Sequence, residues 1–318
     1  MPMKPKRTIL IKLACLACAF ALLSLAGMPL YRGLYAQTSD GAYWDKLDRL
    51  QTLAEAGTPK AVFVGGSATH FGIHAALFEE ETGIPAVNMG LNAGLSFQMC
   101  LDSVSPWLQP GDLLFLMPEY DYYAHAFQSV NENSVNFLFL LDPSVGKGLS
   151  ARDWLRFAPE VLTTGWRNWG SAVVSALQAL LPGDYTIYRR DTSNAWGDMQ
   201  GQKGLTNRPI LSPLHITYAD RGFADGLQAY IDGFGARDIR VALLLAPFQR
   251  TCYEQNRPAI DAVAARARTL QGARLLLDLP DAVMDDTCFY DTAYHLDWPS
   301  AEAFTRRVIA RARAQGLL

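Results

Sequence analysis

Three side chains in this sequence are of the types that together activate a hydroxyl, and they lie far apart in the chain. Ser67 closes the run "AVFVGGS", where an apolar stretch beginning at Ala61 ends in Gly65 and Gly66. Asp291 and His295 stand in "CFYDTAYHLDWPSAEAF", just ahead of the helical pattern that closes the chain. A serine hydroxyl is a weak nucleophile until an adjacent base takes its proton, and histidine is the usual base. The histidine in turn needs a carboxylate to fix its tautomer and to stabilise the imidazolium. The same chemistry calls for N–H donors aimed at the developing oxyanion. The Ser67 amide, at a predicted helix start, is one candidate, and Asn92 and Gly94 in "NMGLNAG" are two more. Each residue also has a plainer reading. Serine before a helix commonly acts as an N-cap, glycine after a strand commonly marks a turn, and His295 alone would be a surface histidine. Taken together, Ser67, Asp291 and His295 favour a nucleophile, its base and the base's partner over a cap.

Such residues need a scaffold that gathers them. Near-continuous apolar runs recur at 61–65, 85–90, 112–117, 239–247 and 273–280, the pattern of parallel strands buried on both faces. Helical patterns separate most of them, at 72–82, 96–107, 223–235 and 254–270, with a last one from Ser300 to about Gln315. Alternating β and α elements predict an open parallel sheet with helices on both faces. Ligands of such sheets bind outside the carboxyl ends of the strands, which is where Ser67, the Asn92 loop and the Asp291–His295 loop fall. Residues from about 121 to 222 interrupt the alternation. They carry Trp154, Trp166, Trp169 and Trp196 and read as a mostly helical insertion in one domain.

The order of motifs resembles the SGNH (GDSL-type) hydrolases and acyltransferases: "GGS" after the first strand, an N-x-G-x-x-x-G pattern from Asn88 to Gly94 after the second, and "DTAYHL" before the final helix. The resemblance covers most of residues 58–117 and 239–315. It implies a three-layer α/β/α, flavodoxin-like parallel sheet, with Ser67 as nucleophile, His295 as base, Asp291 as its partner and no cofactor. The chain is most similar to the membrane-anchored branch that serves cell-envelope polymer acylation, such as the alginate O-acetylation and D-alanyl lipoteichoic acid proteins. That branch implies a multi-spanning membrane O-acyltransferase as partner, and a polysaccharide or an acylated small molecule as substrate. Two departures stand out. Where the family's third block has a Gly-Asn pair, this chain reads "MPEYDYY", with Glu119 or Tyr120 in the asparagine's place as oxyanion or substrate contact. Three residues, not the common two, separate Asp291 from His295. The functional expectation is a serine O-acyltransferase or esterase working through a Ser-His-Asp triad. Its alternative is a non-catalytic accessory protein of the same fold that binds a membrane O-acyltransferase or a polymer.

The first 36 residues lie outside this domain. Lys4, Lys6, Arg7 and Lys12 precede eighteen uncharged residues, Leu13 to Leu30, whose length and flanking cations fit a membrane span with a cytoplasmic amino terminus. A cleaved signal peptide shares the pattern, but Leu34 is bulky where cleavage near Ala36 wants a small residue. The expected layout is therefore a tail and anchor over 1–36 in the cytoplasmic membrane, with an extracytoplasmic, periplasmic domain over 37–318. Residues 1–36 hold five of the 28 Lys and Arg and no Asp or Glu, so the remainder carries 23 basic against 31 acidic side chains. That net charge near −8 argues against nucleic-acid binding. His70 and His74, four apart, lack a third ligand at metal spacing. Glu119 and Asp121 fit no other part of glycosidase chemistry. Cys252 and Cys288 leave the same edge of a parallel sheet, so a disulfide between them is expected in an exported chain. Ser67 Oγ is expected within hydrogen-bond reach of a His295 nitrogen, with Asp291 on the other.

Overall fold

The computed structural model describes residues 5–178, 187–208, 214–219 and 221–318. The chain forms two compact units, Met1–Gln37 with Val130–Thr186, and Thr38–Ser129 with Ile187–Leu318.

The larger unit is an α/β structure on a parallel sheet of five strands: β1 (Ala61–Gly65), β2 (Ala86–Asn88), β3 (Leu113–Met117), β4 (Arg240–Leu244) and β5 (Ala273–Leu277). Their order is β2-β1-β3-β4-β5, one of the common doubly wound orders. All five residues of β1 and of β3 are buried. Successive side chains of a strand point to opposite faces, so both faces of the sheet's centre are covered. The cover comes from α2 (Tyr43–Glu55), α3 (Ser67–Gly72), α4 (Ala75–Thr82), α5 (Phe97–Val104), α8 (Phe223–Gly235), α9 (Arg250–Ala267) and α11 (Trp298–Ala314), and the short α10 (Leu279–Ala282) follows β5. Helix α11 packs on α3, α4 and β5, while α2, α5 and α8 pack on β2, β1 and β4. Asp297 starts α11 by accepting the Ser300 N–H at 2.9 Å, which fixes where the chain turns after the Asp291–His295 loop.

The expected helix over 72–82 is α4, starting at Ala75, and a separate short helix, α3, precedes it. Ile73 between them is extended, and its carbonyl accepts the Asn88 Nδ2 at 2.8 Å. The free N–H groups of Ala75 and Ala76 at the start of α4 are taken by Asp198, at 2.7 and 3.0 Å. A carboxylate supplied from far along the chain does the capping that His74 does not.

The smaller unit holds α1 (Pro5–Tyr35), α6 (Glu132–Asn136) and α7 (Ala151–Gln178). Thr8–Tyr35 is long and apolar enough to cross a membrane, with mean hydropathy 2.4; Lys4 ahead of it lies outside the described residues. Residues 8–30 form a single helix, as expected. The expected insertion over 121–222 needs dividing. Val130–Thr186 groups with α1, whereas 187–208 belongs to the sheet unit and runs irregularly there, with one 3₁₀ turn at Arg190–Thr192. Trp154, Trp166 and Trp169 are thus on α7, and Trp196 is not; its indole donates to Glu79 at 3.0 Å. Parts of the insertion at 179–186, 209–213 and 220 lie outside the described residues.

One buried ion pair ties the entrances of the two central strands. Lys60 Nζ lies 2.7 Å from Asp112 Oδ2, both side chains fully buried. Asp112 also accepts the backbone N–H groups of Lys60 and Gln109, at 3.1 and 2.8 Å. Removing one partner strands a buried charge, so Asp112→Ala is expected to lower stability by about 3–5 kcal/mol in urea denaturation. The double variant Lys60→Met, Asp112→Leu, which removes both charges and keeps volume, is expected to recover most of that loss.

Candidate active site

The site is built where the order of the sheet reverses, between β1 and β3, the usual ligand position of such sheets. Ser67 is the first residue of α3, directly after β1. Glu119 follows β3. The two meet: Ser67 Oγ donates to Glu119 Oε1 at 3.2 Å, and the Ala68 N–H donates to the same oxygen at 2.6 Å. Gly66 makes room for this, since a Cβ there would lie 2.7 Å from Glu119 Oε1 and 2.8 Å from the Ala93 Cα. The same closeness brings Ala93, in the Asn92–Gly94 turn, against Gly66.

The second half of the site is the loop before α11. His295 Nδ1 lies 2.9 Å from Asp291 Oδ1. Tyr188, from the 187–208 segment, donates its hydroxyl to Asp291 Oδ2 at 2.5 Å and stands 3.2 Å from His295 Nδ1. Burial alone would raise the Asp291 carboxyl, but the hydrogen bonds from His295 and Tyr188 outweigh it and hold the group below its ordinary value. The imidazole is stacked on Phe71, ring centroids 4.0 Å apart and planes within 4°. Phe71 is four residues after Ser67 on α3, which puts the two on one helix face. Asn88 steadies that helix by donating to the Thr69 carbonyl at 3.0 Å as well as to Ile73.

The expected Asp291–His295 pair is therefore present, while the expected Ser67–His295 hydrogen bond is not. The serine's partner is Glu119. Among the other candidates, Gly94 gives its N–H to Asn92 Oδ1 at 2.7 Å, closing an Asx turn, and is not an open donor. Tyr120 is also spent: its hydroxyl donates to the Ala246 carbonyl at 3.0 Å, and burial raises its proton affinity. His70 Nε2 lies 3.2 Å from Ser193 Oγ, and His74 packs against Trp298 at 4.0 Å between ring centroids.

The expected disulfide is corrected too, because Cys252 and Cys288 are free thiols. Their segments do meet, through Thr251, whose N–H donates to Asp286 Oδ1 at 3.0 Å and whose hydroxyl donates to Oδ2. Cys252, in the first turn of α9, instead turns its sulfur inward to Gln249 Oε1 at 3.1 Å.

Two residues of the site escaped the sequence reading. Tyr188 has no motif and lies about a hundred residues from its partners. Phe71 was legible in principle, since it follows Ser67 at helical spacing.

No family model matches the chain, and no curated protein matches it. Among solved structures, one from Streptococcus pneumonia, provisionally described as a platelet activating factor, is similar at 11% identity with a TM-score of 0.39. The similarity covers 83% of this chain and 90% of that one.

Glu119 makes the site sensitive to pH. Burial, opposed by the Ala68 N–H, pushes its carboxyl up from 4.5 to about 7. Between those values the unfolded chain releases this proton while the native chain keeps it, so this group's contribution to stability falls as pH rises. Glu119→Gln keeps the acceptor for Ala68 and removes the titration. The stability advantage of the variant over the parent, from urea denaturation, is expected to grow from about pH 4.5 to about pH 7 and then to level off. Parallel pH profiles would contradict this assignment.

Proposed function

We propose that the chain is a membrane-anchored, extracytoplasmic SGNH-type serine acyltransferase or esterase, with Ser67 as nucleophile, His295 as general base and Asp291 as the base's partner. The observation that carries it is the Asp291–His295 pair, 2.9 Å apart, whose imidazole is stacked on a residue one helical turn from Ser67. A doubly wound sheet with the serine after β1 is consistent with the three-layer SGNH arrangement. The long apolar α1 is consistent with an anchor in the cytoplasmic membrane and a periplasmic domain.

In this reading Ser67 Oγ leaves Glu119, gives its proton to His295 Nε2 and attacks the acyl carbonyl. Asp291 and Tyr188 hold the imidazolium that forms. The Ser67 amide at the head of α3 and Asn92 Nδ2 are the oxyanion donors. An ionised Glu119 beside the oxyanion would oppose it, so the protonated carboxyl is the productive form, available because burial pushes this group up to about 7. The imidazolium returns the proton to the leaving alcohol, whose bond to the acyl carbon breaks. A second hydroxyl, deprotonated by His295, then takes the acyl group from Ser67 and restores the serine. That hydroxyl belongs to an envelope polysaccharide or similar acceptor in transfer, and to water in hydrolysis. The substrate class and a multi-spanning membrane O-acyltransferase as partner follow from the family resemblance.

The alternative, a non-catalytic accessory protein, is favoured by one observation, the Ser67 hydroxyl held by Glu119 in place of His295. A fluorophosphonate probe and a small acetyl ester separate the two. The enzyme reading expects labelling of the parent chain, none of Ser67→Ala, and a fall of about ten-thousandfold in turnover for Asp291→Asn. Absence of labelling in the parent chain would support the accessory reading.

A further inference from the structure

Helix α7 packs directly on the apolar α1. Trp169 Nε1 donates to the Leu23 carbonyl at 2.8 Å, Asn168 Nδ2 lies 3.3 Å from Met28 Sδ, and Phe20 and Trp166 meet at 5.6 Å between ring centroids. The backbones touch where the residues are small. A Cβ on Gly27 would lie 2.0 Å from the Gly165 carbonyl oxygen, and one on Gly165 would lie 2.0 Å from that of Ser24. Small residues at the crossing and polar side chains donating across it are the habits of helices packed in lipid. The α1 residues involved, Phe20 to Met28, all fall inside the uncharged stretch Leu13–Leu30. Wherever that stretch sits, Gly165–Trp169 sits beside it.

The outward side of α7 matches this position. Leu155, Leu162, Trp166, Val173 and Leu177 recur at spacings of seven and four, along one line of the helix. Leu162 is half-buried and the others are exposed, Leu155 to 76% and Leu177 to 58%. The charged residues Arg156, Glu160 and Arg167 occupy a different line, where Arg167 pairs with Glu160 and Glu132. From Asn168 to Gln178 the helix has no charge. An exposed apolar line of this length is unusual on a surface facing water.

We propose that α7 is itself a membrane-contacting helix, its Leu155–Leu177 line resting in the lipid bilayer alongside α1. This rests on the reading of α1 as a retained membrane span, and it gives that reading a reason: Ser24, Gly27 and Met28 are buried in the smaller unit, so cleavage after them would strip α7 of its packing partner.

The test uses the full chain with its five native cysteines replaced, one copy per phospholipid nanodisc. Single cysteines are introduced as Trp166→Cys, Val173→Cys and Leu177→Cys, with Arg156→Cys and Thr163→Cys on the polar line as controls. The readout is the labelling rate by a membrane-impermeant maleimide, relative to the urea-denatured chain. The three line positions are expected to react about tenfold slower than the controls, because the reactive thiolate does not form in an apolar medium. Equal rates with the chain still held in the disc would overturn the proposal and leave the anchor intact. A chain that fails to enter discs, and whose intact mass lacks the first 36 residues or so, would overturn the anchor and the proposal with it. Slow labelling that appears only when two copies share a disc would also overturn it, since a second copy would then be the cover.

Discussion

Glu119 holds the Ser67 hydroxyl, and the proposed chemistry depends on its release to His295. Glu119 emerges from β3 beside the start of α3 and takes both the Ser67 hydroxyl and the Ala68 amide on one oxygen. Hydrogen bonds to a charged group contribute roughly 1.5–3 kcal/mol each, against about 1 kcal/mol for neutral ones. Protonating Glu119 therefore weakens its hold on the serine. Burial places that protonation near neutral pH. On the proposed reading, the buried carboxyl that holds the Ser67 hydroxyl is thus also the group that releases it.

The opposite side of the site is far less adjustable. Asp291 receives Tyr188 on one oxygen and faces His295 Nδ1 with the other, while Phe71 lies flat under the imidazole. The ring's orientation is thus fixed by its neighbours, which on the proposed reading lets the carboxylate–histidine pair act without rearranging. On the proposed reading, a contact that titrates at the nucleophile and a fixed one at the base leave the serine hydroxyl as the group that must change partner.

Much of this framework is legible in the amino-acid order, and the parts that are not share a cause. Each strand of the sheet falls within a predicted apolar run, most plainly β1 and β3, which are buried throughout and carry no polar side chain. The Asp291–His295 pair is legible because one short loop carries both residues. The break between α3 and α4 is not, because its cap, Asp198, comes from more than a hundred residues away. Tyr188 is hidden for the same reason. Both lie in 187–208, which local patterning assigns to an insertion and the fold assigns to the sheet unit. The α1–α7 pairing was out of reach for another reason: hydropathy identifies an apolar helix but does not say what packs on it.

The central claim is that Ser67 can exchange Glu119 for His295 and act as a nucleophile. The crystal structure of the chain after reaction with a fluorophosphonate tests it most directly. The account predicts phosphorus bonded to Ser67 Oγ, His295 Nε2 within about 3.2 Å of that oxygen, and Glu119 no longer accepting from Ser67. An unmodified Ser67 still donating to Glu119, with the adduct elsewhere or absent, would contradict it.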